Sequence, residues 1–120
     1  MSMTITRDEG PIRRLTITGM ARKSDLDQVM HTLEGEIGDR GVVRLLVLLD
    51  GFTGWAQTDD WSGLSFYVNH GDQIERIAIV GESRWRDDAM MFALADLRRA
   101  PVEFFAPGAI PQALNWLRQV

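Results

Sequence analysis

A chain of 120 residues that is 45% apolar is long enough for one well-filled core and too apolar to stay disordered. Its net charge of −4, with thirteen basic residues scattered rather than gathered in a stripe, argues against a nucleic-acid partner. The absence of cysteine excludes disulfides, thiolate nucleophiles and cysteine-based zinc or iron–sulfur sites.

No apolar run approaches the ~20 residues of a membrane-crossing helix, so no membrane span is expected. The opening residues, MSMTITRDEG, lack the basic and then apolar regions of a secretory signal. There are no repeats, low-complexity tracts or linkers. The expectation is one cytoplasmic domain over residues 1–120.

Met3 to Thr6 alternates apolar and polar residues and predicts a short edge strand. Asp8-Glu9-Gly10-Pro11 is a turn signal. Ile12, Leu15 and Ile17, interleaved with Thr16 and Thr18, predict a second strand ended by Gly19, and the two strands form a hairpin. Ser24 is an N-cap candidate with Asp27 three residues on, close to a capping box. The helix it opens carries Leu26, Val29, Met30, Leu33 and Ile37 on one face, and Gly38 is placed to stop it. His31 falls off that face and is expected in solvent.

The chain is organised around VVRLLVLLDGFTGW, Val42 to Trp55. Val42 to Leu49 is apolar apart from Arg44 and does not alternate, so a strand there needs cover on both faces, as in a parallel sheet. Asp50-Gly51-Phe52-Thr53-Gly54 then reads as a sharp turn leaving the carboxyl end of that strand, where open α/β sheets place their sites. Thr58 or Asp59 caps a second helix over roughly 59–69, with Trp61, Leu64, Phe66, Tyr67 and Val68 spread over more than one face. Asn69-His70-Gly71-Asp72 ends it.

Ile74 to Val80 is a further strand closed by Gly81. Ser83 is expected to cap a third helix whose buried stripe is Trp85, Ala89, Met90, Ala93, Leu94 and Leu97. Val102 to Phe105 is a shorter strand. Pro111 suits the first turn of a last helix that turns Ile110, Ala113, Leu114 and Leu117 inward. The order is β-β-α-β-α-β-α-β-α: a mixed, mostly parallel five-stranded sheet with four helices and right-handed crossovers.

This order of elements, with Gly54-Trp55 after the central strand, Trp61 and Phe66 in the next helix, His70 at its end, Glu75 to Gly81 (ERIAIVG) and then Trp85, resembles the SpoIIAA-like group of small bacterial proteins. That group is related in fold to the STAS domains of anti-sigma-factor antagonists, and more distantly to lipid-binding CRAL-TRIO domains. The resemblance covers nearly the whole chain and is carried by joint order and spacing, since each motif alone is common. It implies a right-handed β-α superhelix with a mixed sheet, and no established biochemical activity. Anti-sigma-factor antagonists carry a phosphorylatable serine in an Asp-Ser-Ser-Gly-like sequence after the central strand. Here the corresponding residues are Asp50 to Gly54 with Thr53 and no serine, so the resemblance does not carry phosphorylation switching over.

Candidate chemistry centres on Asp50 to Thr58. Either Asp50, Thr53 and the N–H groups of the following helix receive a ligand or phosphate, or the segment is a connector whose glycines shape the backbone while Trp55 covers the core. His70 either caps helix carbonyls or contacts a ligand; two distant histidines make no metal site. The acidic pairs Asp59-Asp60 and Asp87-Asp88 fit helix dipoles near helix starts. No nucleophile elbow, phosphate loop or dinucleotide fingerprint occurs. The aromatic set Phe52, Trp55, Trp61, Phe66 and Tyr67 is either core packing or an anchor for a pocket or an association face.

Three functional expectations follow. The first is a non-enzymatic STAS-like module without a cofactor that presents Asp50, Phe52, Thr53, Trp55, Trp61, Phe66, Tyr67 and His70 to a protein partner or a second copy of itself. The second is a carrier of a small apolar or lipid-like ligand between Trp55, Trp61, Phe66 and Met90 or Met91. The third is an enzyme using Asp50, Thr53 or His70.

Overall fold

In the computed structural model, which describes residues 3–8, 10–55, 74–87 and 101–119, five strands form one sheet. They are β1 (Met3–Arg7), β2 (Ile12–Ala21), β3 (Val43–Trp55), β4 (Ile74–Val80) and β5 (Val102–Phe105), side by side in that order. β1 and β2 are antiparallel, with Met3 opposite Ile17; the other three pairs are parallel. The sheet is therefore mixed and mostly parallel, with the hairpin as its antiparallel edge. Two α-helices are described, α1 (Lys23–Arg40) and α2 (Ile110–Arg118).

Four helices were expected. The predicted helix over 59–69 lies outside the described residues. The one assigned to Ser83 is described only to residue 87, and it starts differently from the expectation. Ser83–Trp85 is a 3-10 turn, and the residue before it, Glu82, makes no side-chain capping bond. Ser83 is thus the first residue of the turn and not its cap.

The apolar run of β3 is covered on both faces. Val43, Leu45, Val47 and Leu49 join α1 and the inner faces of β1 and β2 in one core cluster. Leu46 and Leu48 join Ile12, Ala78, Val80 and the α2 residues Ala113 and Leu117 in another. Alternate residues of a strand point to opposite faces, so a strand between two layers must be apolar throughout. Val43, Leu45 and Leu46 are 0–1% exposed. Burial of this degree contributes about 1.5–3 kcal/mol per large side chain.

α1 presents Leu26, Val29, Met30 and Leu33 to the first cluster, as the helical spacing predicts, and His31 is exposed. Its ends correct the sequence reading. The Leu26 N–H donates to the Arg22 carbonyl, so the helix starts one residue before Ser24, which is exposed within the first turn. Gly38 is inside the helix, and the break falls at Gly41, whose φ of +90° suits a residue without a Cβ. In α2, Ile110 is the first residue and Pro111 follows it within the first turn. Ala113 and Leu117 are fully buried, with Ile110 and Leu114 packed at the margin.

Arg44, the one charge in the apolar run, reaches the carboxyl end of α2. Its Nη1 donates to the carbonyls of Leu117 and Gln119, and its Nε approaches Glu75 Oε1 at 3.4 Å. Arg76 Nη1 donates to the Trp116 carbonyl at 2.9 Å, with its guanidinium 5.0 Å over the Trp116 ring. Cations on the last carbonyls of a helix satisfy orphan acceptors and oppose the dipole. The two arginines tie α2 to β3 and β4.

Candidate functional site

β3 does not end where the sequence suggests. Asp50 to Gly54, read as a sharp turn, continue the strand through Trp55 beside β2, and β2 itself runs past Gly19 to Ala21. The register explains how a strand accommodates these residues. Ile17 pairs with Leu49, Gly19 with Phe52, and Met20 with Gly54. Two steps on β2 are thus matched by three on β3, and the next single step is matched by two. Each mismatch is a β-bulge on β3, the first at Asp50-Gly51 and the second at Thr53. Gly51 (φ +64°) and Gly54 (φ +126°) take the backbone conformations that these bulges need. A bulge pushes its residue out of the ladder and re-aims the side chain. Asp50 and Thr53 are accordingly exposed, while Phe52 between them is 2% exposed.

β4 ends at Val80, opposite Leu48, so this last part of β3 extends beyond it. Beneath the bulges lies an aromatic cluster. Phe52 meets Trp55 edge-on at 4.7 Å between centroids and Trp85 at 4.9 Å, and the two tryptophans stand 6.3 Å apart. These are the favoured edge-to-face arrangements. The Trp85 ring passes so close to Gly54 that a Cβ there would lie 3.6 Å from it. The Arg84 guanidinium sits 4.8 Å from the centroid of the Trp85 ring. Met20, opposite Gly54, is 52% exposed, the larger of the two exposed large apolar residues recorded among the described ones.

Of the sequence-predicted site residues, the structure brings Asp50, Phe52, Thr53 and Trp55 together at the carboxyl end of β3. Asp50 and Thr53 reach solvent, Trp55 is half-buried, and Phe52 is a core residue. Trp61, Phe66, Tyr67 and His70 lie outside the described residues, as do Met90 and Met91 of the carrier expectation. Sequence reasoning missed Met20 and Trp85. Met20 follows a glycine that was read as the end of its strand. Trp85 was assigned to a helical stripe, and only the fold carries it back over Gly54. Asp87 is exposed and pairs with its neighbour Arg86 at 3.8 Å. No group of three or more potential metal-ligating side chains forms among the described residues. No helix of the described residues is long and apolar enough to cross a membrane.

The SpoIIAA-like family model matches residues 12–118, which span β2 to α2. The chain belongs to the SpoIIAA-like family. Solved structures share the fold, two of them as follows. An uncharacterized protein from Shewanella loihica with a SpoIIAA-like fold superposes with a TM-score of 0.73 at 20% identity, over 96% of this chain and 91% of that one. The anti-sigma-factor antagonist SpoIIAA, in its unphosphorylated form, superposes with a TM-score of 0.66 at 11% identity, over 98% and 99%. No curated protein matches the sequence. At these identities the SpoIIAA-like likeness is one of fold.

Proposed function

We propose that this SpoIIAA-like chain is a non-enzymatic binding or regulatory module that meets a protein partner, or a second copy of itself, through the bulged end of β3. The observation that carries the reading is the pair of bulges, which hold Asp50 and Thr53 out in solvent over a rigid aromatic base. Exposed polar groups on a fixed scaffold beside an apolar residue, here Met20, have the composition of a small docking surface. The fold shared with an anti-sigma-factor antagonist supports a role in protein association. A cytoplasmic setting goes with this reading.

The test uses Asp50→Arg combined with Thr53→Arg, both at exposed positions. Light scattering across a concentration series and affinity capture from cell extract are run on the wild type and on the folded variant. Association that the double variant abolishes, with itself or with one captured protein, supports the surface. Association that survives in the variant, or a wild type that remains a monomer and captures nothing, refutes it.

A further inference from the structure

The first bulge of β3 holds a dipeptide with a chemistry of its own. Asp50-Gly51 is the only place in the chain where a glycine follows an aspartate, and neither asparagine, Asn69 or Asn115, precedes a glycine. A backbone nitrogen that follows an aspartate can attack the carboxyl carbon of that side chain. A Cβ on the following residue shields the nitrogen, and glycine has none.

The fold leaves this pair open to reaction. Asp50 and Gly51 are both exposed. The Asp50 carboxylate has no hydrogen bond or ion pair among the described residues, whereas Asp8 is held by Arg14, Asp27 by Lys23 and Asp87 by Arg86. Ile17 pairs with Leu49 and Gly19 with Phe52, so Asp50 and Gly51 together face the single residue Thr18. A bulge leaves its extra residue out of the ladder. At Gly51, with φ +64°, no neighbouring atom lies within 4 Å of where a Cβ would stand. An untethered carboxyl group thus adjoins an unshielded nitrogen, with room for a ring to close.

We propose that Asp50-Gly51 is a site of spontaneous isoaspartate formation, set into the docking surface by the bulge. The Gly51 nitrogen attacks the Asp50 side-chain carboxyl carbon. A C–N bond forms, a C–O bond breaks, and the amide proton leaves with the hydroxyl as water. Water then opens the cyclic imide. Attack at the side-chain carbonyl restores aspartate. Attack at the main-chain carbonyl gives isoaspartate, whose main chain runs through the side-chain carbons. Water is the only co-reactant. The product lengthens β3 by one methylene just before Phe52 and Thr53, and so displaces the residues a partner would meet. This effect on docking rests on the surface proposed above; the chemistry does not.

The experiment ages the folded full chain at neutral pH in water enriched in heavy oxygen, followed by digestion in ordinary water. Each opening of the imide leaves one heavy oxygen, which peptide mass spectrometry locates, and electron-transfer fragmentation separates isoaspartate from aspartate. Label is expected to accumulate at Asp50, with isoaspartate beside it, while the peptides carrying Asp8 and Asp27 stay unlabelled. Asp50→Glu, conservative at an exposed position, abolishes the uptake. Asp50→Asn reaches the same imide by losing ammonia and takes up label faster. Amide resonances of Phe52, Thr53 and Gly54 shift in the aged wild type and not in aged Asp50→Glu. Label at Asp50 no greater than at Asp8 and Asp27 overturns the proposal. So does uptake only in chain unfolded by urea, since the bulge would then protect the pair. The label is read without a partner, so failure of the docking test does not enter the result.

Discussion

Gly81→Ala tests how β3 and β4 are held at the site end of the sheet. A Cβ built at Gly81 would lie 2.8 Å from Leu49 Cδ1, 2.9 Å from Leu49 Cβ and 3.2 Å from Leu49 Cγ. Leu49 can swing Cδ1 aside by changing rotamer. Its Cβ is fixed to the backbone, so that contact is relieved only by parting the strands next to Asp50. Overpacking of this kind costs about 1–3 kcal/mol. Replacing glycine by alanine also restricts the unfolded chain and returns about 0.4–1 kcal/mol where the native backbone is compatible. The expected net loss is about 1.5 kcal/mol. In urea, with a slope near 2 kcal/mol/M, the midpoint drops by roughly 0.8 M.

The same substitution in a Leu49→Ala background makes the prediction specific. Leu49→Ala alone removes a half-buried side chain and costs about 1–2 kcal/mol, at or below the low end of the range for core truncations. It clears Cδ1 and Cγ but leaves Cβ at 2.9 Å, so the cost of Gly81→Ala falls by about half and does not vanish. Near-UV circular dichroism reports the consequence for the site, because Leu49 leads directly into the segment that carries Phe52 and Trp55. A Gly81→Ala variant as stable as the wild type refutes the close approach. An equal cost in both backgrounds refutes any share for Leu49 Cδ1 and Cγ and leaves the whole clash on the Cβ at position 49.

Arg44→Met keeps the length of the side chain but removes the cap on α2, and is expected to lose about 1–2 kcal/mol by urea unfolding. Phe52→Ala empties the middle of the aromatic cluster and is expected to cost about 3–4 kcal/mol, with a weaker near-UV signal from Trp55 and Trp85. Asp50→Arg with Thr53→Arg changes exposed bulge residues only and is expected to leave stability within about 0.5 kcal/mol, which a thermal melt checks. β5 is the last strand of the sheet, four residues long between Pro101 and Pro107, with Glu103 exposed. Short length, flanking prolines and a charge are the usual protection of an edge, so Glu103→Val is expected to raise self-association in light scattering.

The strands were readable because burial on two faces leaves a direct trace in composition. Val42 to Leu49 and Ile74 to Val80 are nearly continuous apolar runs; Val43 to Leu49 form the first part of β3, and Ile74 to Val80 are β4, between the two core clusters. Helix ends were harder. Ser24 and Gly38 have the residue types of a cap and a stop, yet the helix extends beyond both, to Lys23 and Arg40. A preferred cap is worth about 1 kcal/mol, and here the Leu26 N–H, one of the donors such a cap serves, bonds the Arg22 carbonyl instead. Arg44 read as an interruption of a core strand. Its reason lies 73 residues away at Leu117, a distance that no local pattern spans.

The site was half readable for a related reason. The glycines of Asp50-Gly51-Phe52-Thr53-Gly54 signal unusual backbone conformations, and that signal was correct at Gly51 and Gly54. A turn and a doubly bulged strand both need such glycines, and local sequence does not separate them. What separates them is the partner. Gly19 to Ala21 of β2 stay alongside and pair with Phe52, Gly54 and Trp55, so the ladder resumes after each bulge. The same pairing sets Met20 beside Gly54 and buries Phe52, sorting five consecutive residues into exposed and core members. The proposed surface is thus a property of two strands in register, and its chemistry is decided by which residues the bulges turn outward.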